Sequence, residues 1–123
     1  MKREYFFKRR LSFKYAINGI VYALSTQQNL IIHLIATLAV VIASFIFRLT
    51  TIEWTVILLT ISSVWITELF NTAFEKTVDL VTTDHHPLAK IAKDVAAGAV
   101  LFSALSSVIV GLLIFLPKLI SLL

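Results

Sequence analysis

The sequence predicts an all-α membrane protein, with an N-terminal amphipathic surface helix followed by three transmembrane helices. Three observations predict it. Hydrophobic residues make up 59% of the 123 residues, above the roughly 45–50% of a soluble domain, and the mean hydropathy is +0.92. The apolar residues gather in three runs of roughly 18–22 residues, enough for helices to cross ~30 Å of hydrocarbon at ~1.5 Å per residue. The basic residues crowd beside those runs rather than inside them. A chain of this length predicts one domain over residues 1–123, and no internal repeat, low-complexity tract or linker divides it.

Residues 1–28 alternate aromatic and apolar side chains (Phe6, Phe7, Phe13, Tyr15, Ile17, Tyr22, Leu24) with Lys8, Arg9, Arg10, Lys14 and Asn18. Acidic residues are scarce there, so the segment reads as one or two helices in the interface, apolar side towards the acyl chains. It does not read as a cleaved signal: the basic segment is long and the first apolar run starts only near Leu30. Residues 30–47 form the expected first span, interrupted only by His33, which reads as hydrogen-bonded within the bundle rather than as a ligand. Arg48 to Glu53 is an expected short turn. The second span covers about 54–74, with Trp54 as an interfacial anchor. Asp79 to Pro87 reads as a polar loop, and Pro87 suits the first turn of the next helix. That helix enters the membrane near Val95 and is expected to end before Pro117, a span of about 95–116.

Orientation follows from charge. Lys2, Arg3, Lys8, Arg9, Arg10, Lys14, Lys76, Lys90 and Lys93 fall on one side; of the 11 Lys+Arg, only Arg48 and Lys118 fall on the other. The N-terminus and the 79–94 loop are therefore expected in the cytoplasm. The formal charge of +4 fits orientation and anionic lipid, not nucleic acid. The absence of cysteine excludes disulfides and thiolate metal sites.

The chemistry concentrates in one stripe. No charged residue occurs between Trp54 and Thr67, and then come Glu68, Asn71, Glu75 and Asp79. These positions, i, i+3, i+7 and i+11, share one face of a helix. Glu68 lies ~10 Å deeper than Glu75 along the axis. A carboxylate at that depth is costly and marks a candidate site. Poorly solvated, it suits removal of a proton from a lipid hydroxyl; the plain alternative is a carboxyl neutralised by a helix–helix hydrogen bond. Glu75 and Asp79 are shallow enough to hold a hard divalent cation through oxygen, or are ordinary interfacial acids. Asn71 either joins helices or orients a hydroxyl or phosphate oxygen.

Lys90, Lys93, Asp94 and Ala97 share a face of the third spanning helix. The lysines read either as positive-inside residues or as polyphosphate contacts. Asp94 balances Lys90 at i+4 or binds metal. Ala96-Ala97-Gly98-Ala99 is a small-residue patch that lets another helix approach. Adjacent His85 and His86 point in different directions and make a poor zinc site. The chain contains no Gly-rich phosphate loop and no nucleophile elbow, so a nucleotide would have to be held by side chains at the membrane surface.

The run from Glu68 through Asn71, Glu75 and Asp79, followed by His86-Pro87-Leu88-Ala89-Lys90-Ile91-Ala92-Lys93-Asp94-Val95-Ala96-Ala97-Gly98, resembles the small bacterial integral-membrane lipid kinases. These are the prokaryotic diacylglycerol kinase family, which includes undecaprenol kinases. The resemblance covers about residues 5 to 118. The form His85-His86-Pro87-Leu88-Ala89-Lys90 is similar to the Gram-positive branch, where the preferred acceptor is often undecaprenol rather than diacylglycerol. The resemblance implies a homotrimer in the bacterial cell membrane, active sites shared between subunits, and MgATP as phosphoryl donor.

The resemblance also implies roles. Glu68 matches the general base, and Glu75 a magnesium ligand that also lies at the nucleotide. Asn71 matches a polar site residue and, with Glu68 and Ala97, falls on the lipid side. Tyr15, Asp84, His85, His86, Lys93 and Asp94 match positions that contact ATP. Two positions depart from the family pattern. Gln27 stands where a glutamate often shares magnesium with Glu75, so an amide supplies oxygen without charge, or Asp79 or Asp94 compensates. Lys8 stands where an arginine is usual, with Arg9 or Arg10 close enough to take that role. The expected activity is ATP-dependent phosphorylation of a lipid alcohol, undecaprenol first and diacylglycerol second. The reading of another class is a non-enzymatic channel or assembly subunit, with Glu68 lining a cation path.

Overall fold

The computed structural model describes residues 2–122, with side chains from Leu11 onward. Four helices follow one another: α1 (Lys2–Thr26), α2 (Gln28–Ile46), α3 (Thr51–Val81) and α4 (Pro87–Ile120). No strand occurs among the described residues. The N-terminal segment is one helix rather than two, and Lys8, Arg9 and Arg10 have side chains outside the described ones. The hydroxyls of Ser25 and Thr26 both donate back to the Tyr22 carbonyl, and the chain leaves α1 at Gln27, whose backbone is extended. A single residue thus separates the helix that carries the basic segment from the first apolar one.

α2, α3 and α4 are each long and apolar enough to cross a membrane. Their outward surfaces are apolar: α4 runs from Pro87 to Ile120 with no buried residue, while Leu101, Phe102, Leu113 and many others are exposed. Such surfaces suit lipid or neighbouring helices, not water. Polar side chains on these helices are carried by local bonds. Ser44 donates to Val40, Thr60 to Val56 and Thr72 to Glu68 carbonyls, which leaves few hydroxyls to face hydrocarbon unpaired. Two further bonds cross between helices, Trp65 Nε1 to Thr37 Oγ1 at 3.0 Å and Ser63 with Ser103 at 3.1 Å.

The α2–α3 connection is tighter than the expected 48–53 turn. Arg48 adopts φ 50, a left-handed conformation usually given to glycine. Around it, Leu49 N–H donates to Ser44 O and Arg48 N–H to Phe45 O, the pair of bonds that closes a Schellman motif. Leu49 is buried. α3 then starts at Thr51, earlier than expected, because Thr50 and Glu53 form a reciprocal cap: Glu53 N–H donates to Thr50 Oγ1 and Thr50 N–H to Glu53 Oε2.

The start of the second loop also shifts. α3 continues through Asp79 to Val81, so the loop begins at Thr82, not Asp79; the Asp79 carboxylate is held against Lys93 of α4 at 2.6 Å, which favours a helical path up to that point. Pro87 opens α4 as expected, with His86 Nδ1 accepting from Leu88 N–H at 3.2 Å. At the far end α4 passes through Pro117 to Ile120. Proline removes one donor, but in the last turn the loss is local. Ser121 N–H closes onto Pro117 O, and Lys118 reaches Glu53 at 3.0 Å. With 31 and 34 residues, α3 and α4 measure ~46 and ~51 Å, so both outrun the hydrocarbon.

Candidate active site

α3 is the spine of the site. Its one-sided stripe reappears in three dimensions, with Glu68 and Asn71 buried and Glu75 half-buried. Glu68 is 1% exposed. Its Oε1 lies 3.2 Å from Nε2 of His33, which α2 presents from the side. The contact is poorly directed, and Oε1 has no hydrogen-bond partner among the described residues. His33 thus faces the stripe's deepest acid within the bundle, without the hydrogen bond that its isolation in an apolar run suggested.

One turn on, Asn71 Nδ2 donates to Glu75 Oε1 at 3.1 Å, while Asn71 Oδ1 is buried without a partner. The other Glu75 oxygen, Oε2, receives Gln27 Nε2 at 3.4 Å. The single non-helical residue between α1 and α2 is thus aimed at Glu75, across 48 residues of sequence. The residues present fit magnesium once the Gln27 amide is turned: its nitrogen now faces Glu75, and with its oxygen presented instead, a carboxylate and an amide oxygen would leave the rest of a shell to phosphate and water. Among the described residues no group of three His, Cys, Asp or Glu side chains forms a metal cluster, so a denser all-protein shell of the zinc kind is not built.

Beyond Glu75 the stripe ends in a cleft of about 390 Å³ between the ends of α3 and α4 and the loop joining them. Asp84, His85, His86, Lys90, Lys93 and Asp94 line it together with Asp79. Lys93 pairs with Asp79 rather than standing beside Asp94 as a unit; Asp94 takes Lys90 at 2.5 Å, the i+4 pair read from sequence. Each ammonium carries three donors, so these contacts leave donors for an anion.

Some expected members stay outside this grouping. Tyr15 is exposed on α1. Ala97 is exposed, whereas Ala92, Ala96 and Ala99 line a cleft of about 200 Å³ with Phe70, Asn71 and Phe74. Gly98 faces open space, so the Ala97-Gly98 side of the small-residue patch is not filled by a helix of the same chain. The Asp79–Lys93 and His33–Glu68 contacts are what the sequence did not announce. Each joins two helices, and periodicity within one helix carries no signal of it.

Residues 14–115 match the prokaryotic diacylglycerol kinase family. The chain belongs to that family. An undecaprenol kinase of Bacillus subtilis is 53% identical over 114 residues, covering 93% of this chain and 90% of that protein. A diacylglycerol kinase of Synechocystis is 50% identical over 113 residues, 91% of this chain and 65% of that protein. A diacylglycerol kinase of Helicobacter pylori is 38% identical over 66 residues, about half of each chain (54% and 51%). This member of the prokaryotic diacylglycerol kinase family is therefore a kinase, and its three apolar helices mark it as a multi-pass membrane protein. The channel or assembly-subunit reading gives way to that membership.

Proposed function

We propose that this kinase transfers the γ-phosphoryl group of ATP to a membrane lipid alcohol, and that the alcohol is undecaprenol. The observation that carries the reading is a buried, unsatisfied Glu68 on the same helix face that leads through Asn71 and Glu75 to a polar cleft lined by two lysines, two histidines and three aspartates. Similarity to the Bacillus subtilis undecaprenol kinase over nearly the full length of both chains supports undecaprenol. Diacylglycerol is the second reading, favoured by the Synechocystis relative.

In this mechanism the lipid hydroxyl arrives laterally from the bilayer. Glu68 removes its proton, and the alcohol oxygen attacks the γ-phosphorus. Asn71 orients the acceptor, with Ala97 lining its approach. Lys93 and Lys90 offset charge on the phosphoryl oxygens, while Tyr15, Asp84, His85, His86 and Asp94, with Lys8 on the N-terminal helix, hold the nucleotide. Magnesium, bound with ATP, would be held by Glu75 and Gln27 and would supply positive charge at the phosphates. α1 lies in the interface, the N-terminus and the 79–94 loop face the cytoplasm, and three copies share their active sites. The exposed Ala97-Gly98 face suits the close approach of a neighbouring copy. The test is side-by-side phosphorylation of undecaprenol and diacylglycerol by purified protein with MgATP. Faster turnover of the polyprenol is expected; preference for the diacyl lipid selects the second reading, and no product from either ends both.

A further inference from the structure

We propose that His33 is the positioning residue and proton partner of Glu68, taking over the proton that Glu68 removes from the acceptor. The inference rests on the proposed role of Glu68 as base. A base in a sealed site must discharge its proton before the next turnover. Glu68 is too deeply covered to do this alone, with 1% of its side chain exposed, and the imidazole of His33 is the ionisable group set against it. The imidazole Nε2 sits 3.2 Å from Glu68 Oε1, and that oxygen has no hydrogen-bond partner among the described residues.

The pair is electrostatically isolated. Among the described residues neither group joins another ion pair. His33 is the single titratable residue of α2, and α1 carries no charge after Lys14; Tyr15 and Tyr22 are its remaining titratable groups, both exposed. α4 has no charged residue between Asp94 and Lys118. On α3 the next acid, Glu75, is engaged by Gln27 and Asn71. His33 also lines a separate cavity of about 130 Å³ between α2, α3 and α4, together with the hydroxyl-bearing Thr37, Thr60 and Ser107. It therefore stands between the buried acid and a largely apolar cavity that carries three hydroxyls.

The step balances without a further reactant. The acceptor O–H bond breaks, and its proton passes to a Glu68 oxygen. The electron pair stays on the alcohol oxygen, which bonds to the γ-phosphorus as the bond to the β–γ bridging oxygen breaks. The proton then moves from the Glu68 carboxyl to the neutral imidazole and on to solvent, and Glu68 is again ionised. A neutral imidazole both accepts this proton and, as imidazolium, stabilises the carboxylate left behind.

The experiment compares wild type, His33→Gln, His33→Leu and Glu68→Gln. His33→Gln keeps a polar nitrogen at similar reach but cannot take up a further proton. Its kcat is expected to fall on the order of 10- to 100-fold, less than full loss of a base, with KM for lipid and MgATP unchanged. The pH dependence of its kcat should also differ from that of the wild type, and His33→Leu should be slower still. A purely structural histidine would lower thermal stability and leave the pH profile alone; that result, or wild-type kcat in both variants, overturns the proposal. Glu68→Gln separates the two failures: if it stays active, the base reading falls and takes this inference with it. A second readout needs no His33 variant. In protein labelled with ¹⁵N-histidine, the His33 ring signals must move between wild type and Glu68→Gln, and identical signals reject the coupling.

Discussion

At the Thr51 end of α3 the polar groups are closed upon one another. Thr50 and Glu53 exchange bonds, and Lys118 reaches the same carboxylate. Along the Glu68–Glu75 stretch of that helix the pattern reverses. Glu68 Oε1 and Asn71 Oδ1 are buried with no partner, and Gln27 meets Glu75 at a long 3.4 Å. A buried polar atom without a partner costs about 1–3 kcal/mol. A fold that can build a saturated cap at one end does not leave such atoms open at the other for want of chemistry. The difference separates a half of the helix that secures the bundle from a half that awaits reactants, and it can be broken by substitutions placed on either side.

The largest expected effect is at Glu68. Replacing it with glutamine keeps shape and polarity but removes the base, and kcat should fall on the order of 10²–10⁴-fold. Helical content and assembled size, read by circular dichroism and gel filtration, should not change. Near-wild-type turnover would place Glu68 on the structural side of the comparison.

Next comes Gln27→Glu. The long amide contact becomes a second carboxylate beside Glu75, and magnesium favours one or two carboxylates. The magnesium concentration for half-maximal rate should drop several-fold, with kcat little altered. Without the ion, the two like charges repel, so thermal stability in chelator should fall while stability in magnesium holds. A raised requirement would remove Gln27 from the metal.

How far the sequence reaches is visible in these same residues. The three spans, the Pro87 helix start and the Glu68-Asn71-Glu75 face all follow from hydropathy and a period of 3.6. The Gln27–Glu75 approach came through family resemblance, and the structure brings those side chains within reach. Boundaries were less legible. The turn at Arg48 hides because arginine, not glycine, holds φ 50, and Pro117 marks no end because its lost bond falls in a final turn. The Asp79–Lys93 pair, 14 residues apart across a loop, depends on where α4 folds back and has no counterpart in local spacing. The acceptor lipid is less legible still, since its pocket lies on surfaces such as Ala97 and Gly98 that one chain leaves open.

On the secured side, Thr50→Ala removes the hydroxyl that accepts Glu53 N–H. Loss of such a cap costs about 1 kcal/mol. The melting temperature should fall by a few degrees, and kcat and both KM values should stay within experimental error. A kinetic defect as large as the stability defect would mean that the two halves of α3 are coupled, and the comparison would have to be abandoned.

The smallest effect belongs to Arg48. Its left-handed backbone costs roughly 1–2 kcal/mol for a side chain that is not glycine, and Arg48→Gly relieves that strain. Glycine gives back about 0.5–1 kcal/mol through the greater freedom of the unfolded chain, so the net gain should be at most about 1 kcal/mol. The Leu49-to-Ser44 bond and the kinetics should be untouched. The substitution also removes one of the two basic residues expected outside, alongside Lys118, so the inside bias of the remaining charges rises and topology should hold. Destabilisation instead would show that the Arg48 side chain binds something at that face, and that the Thr51 end of α3 does more than secure the bundle.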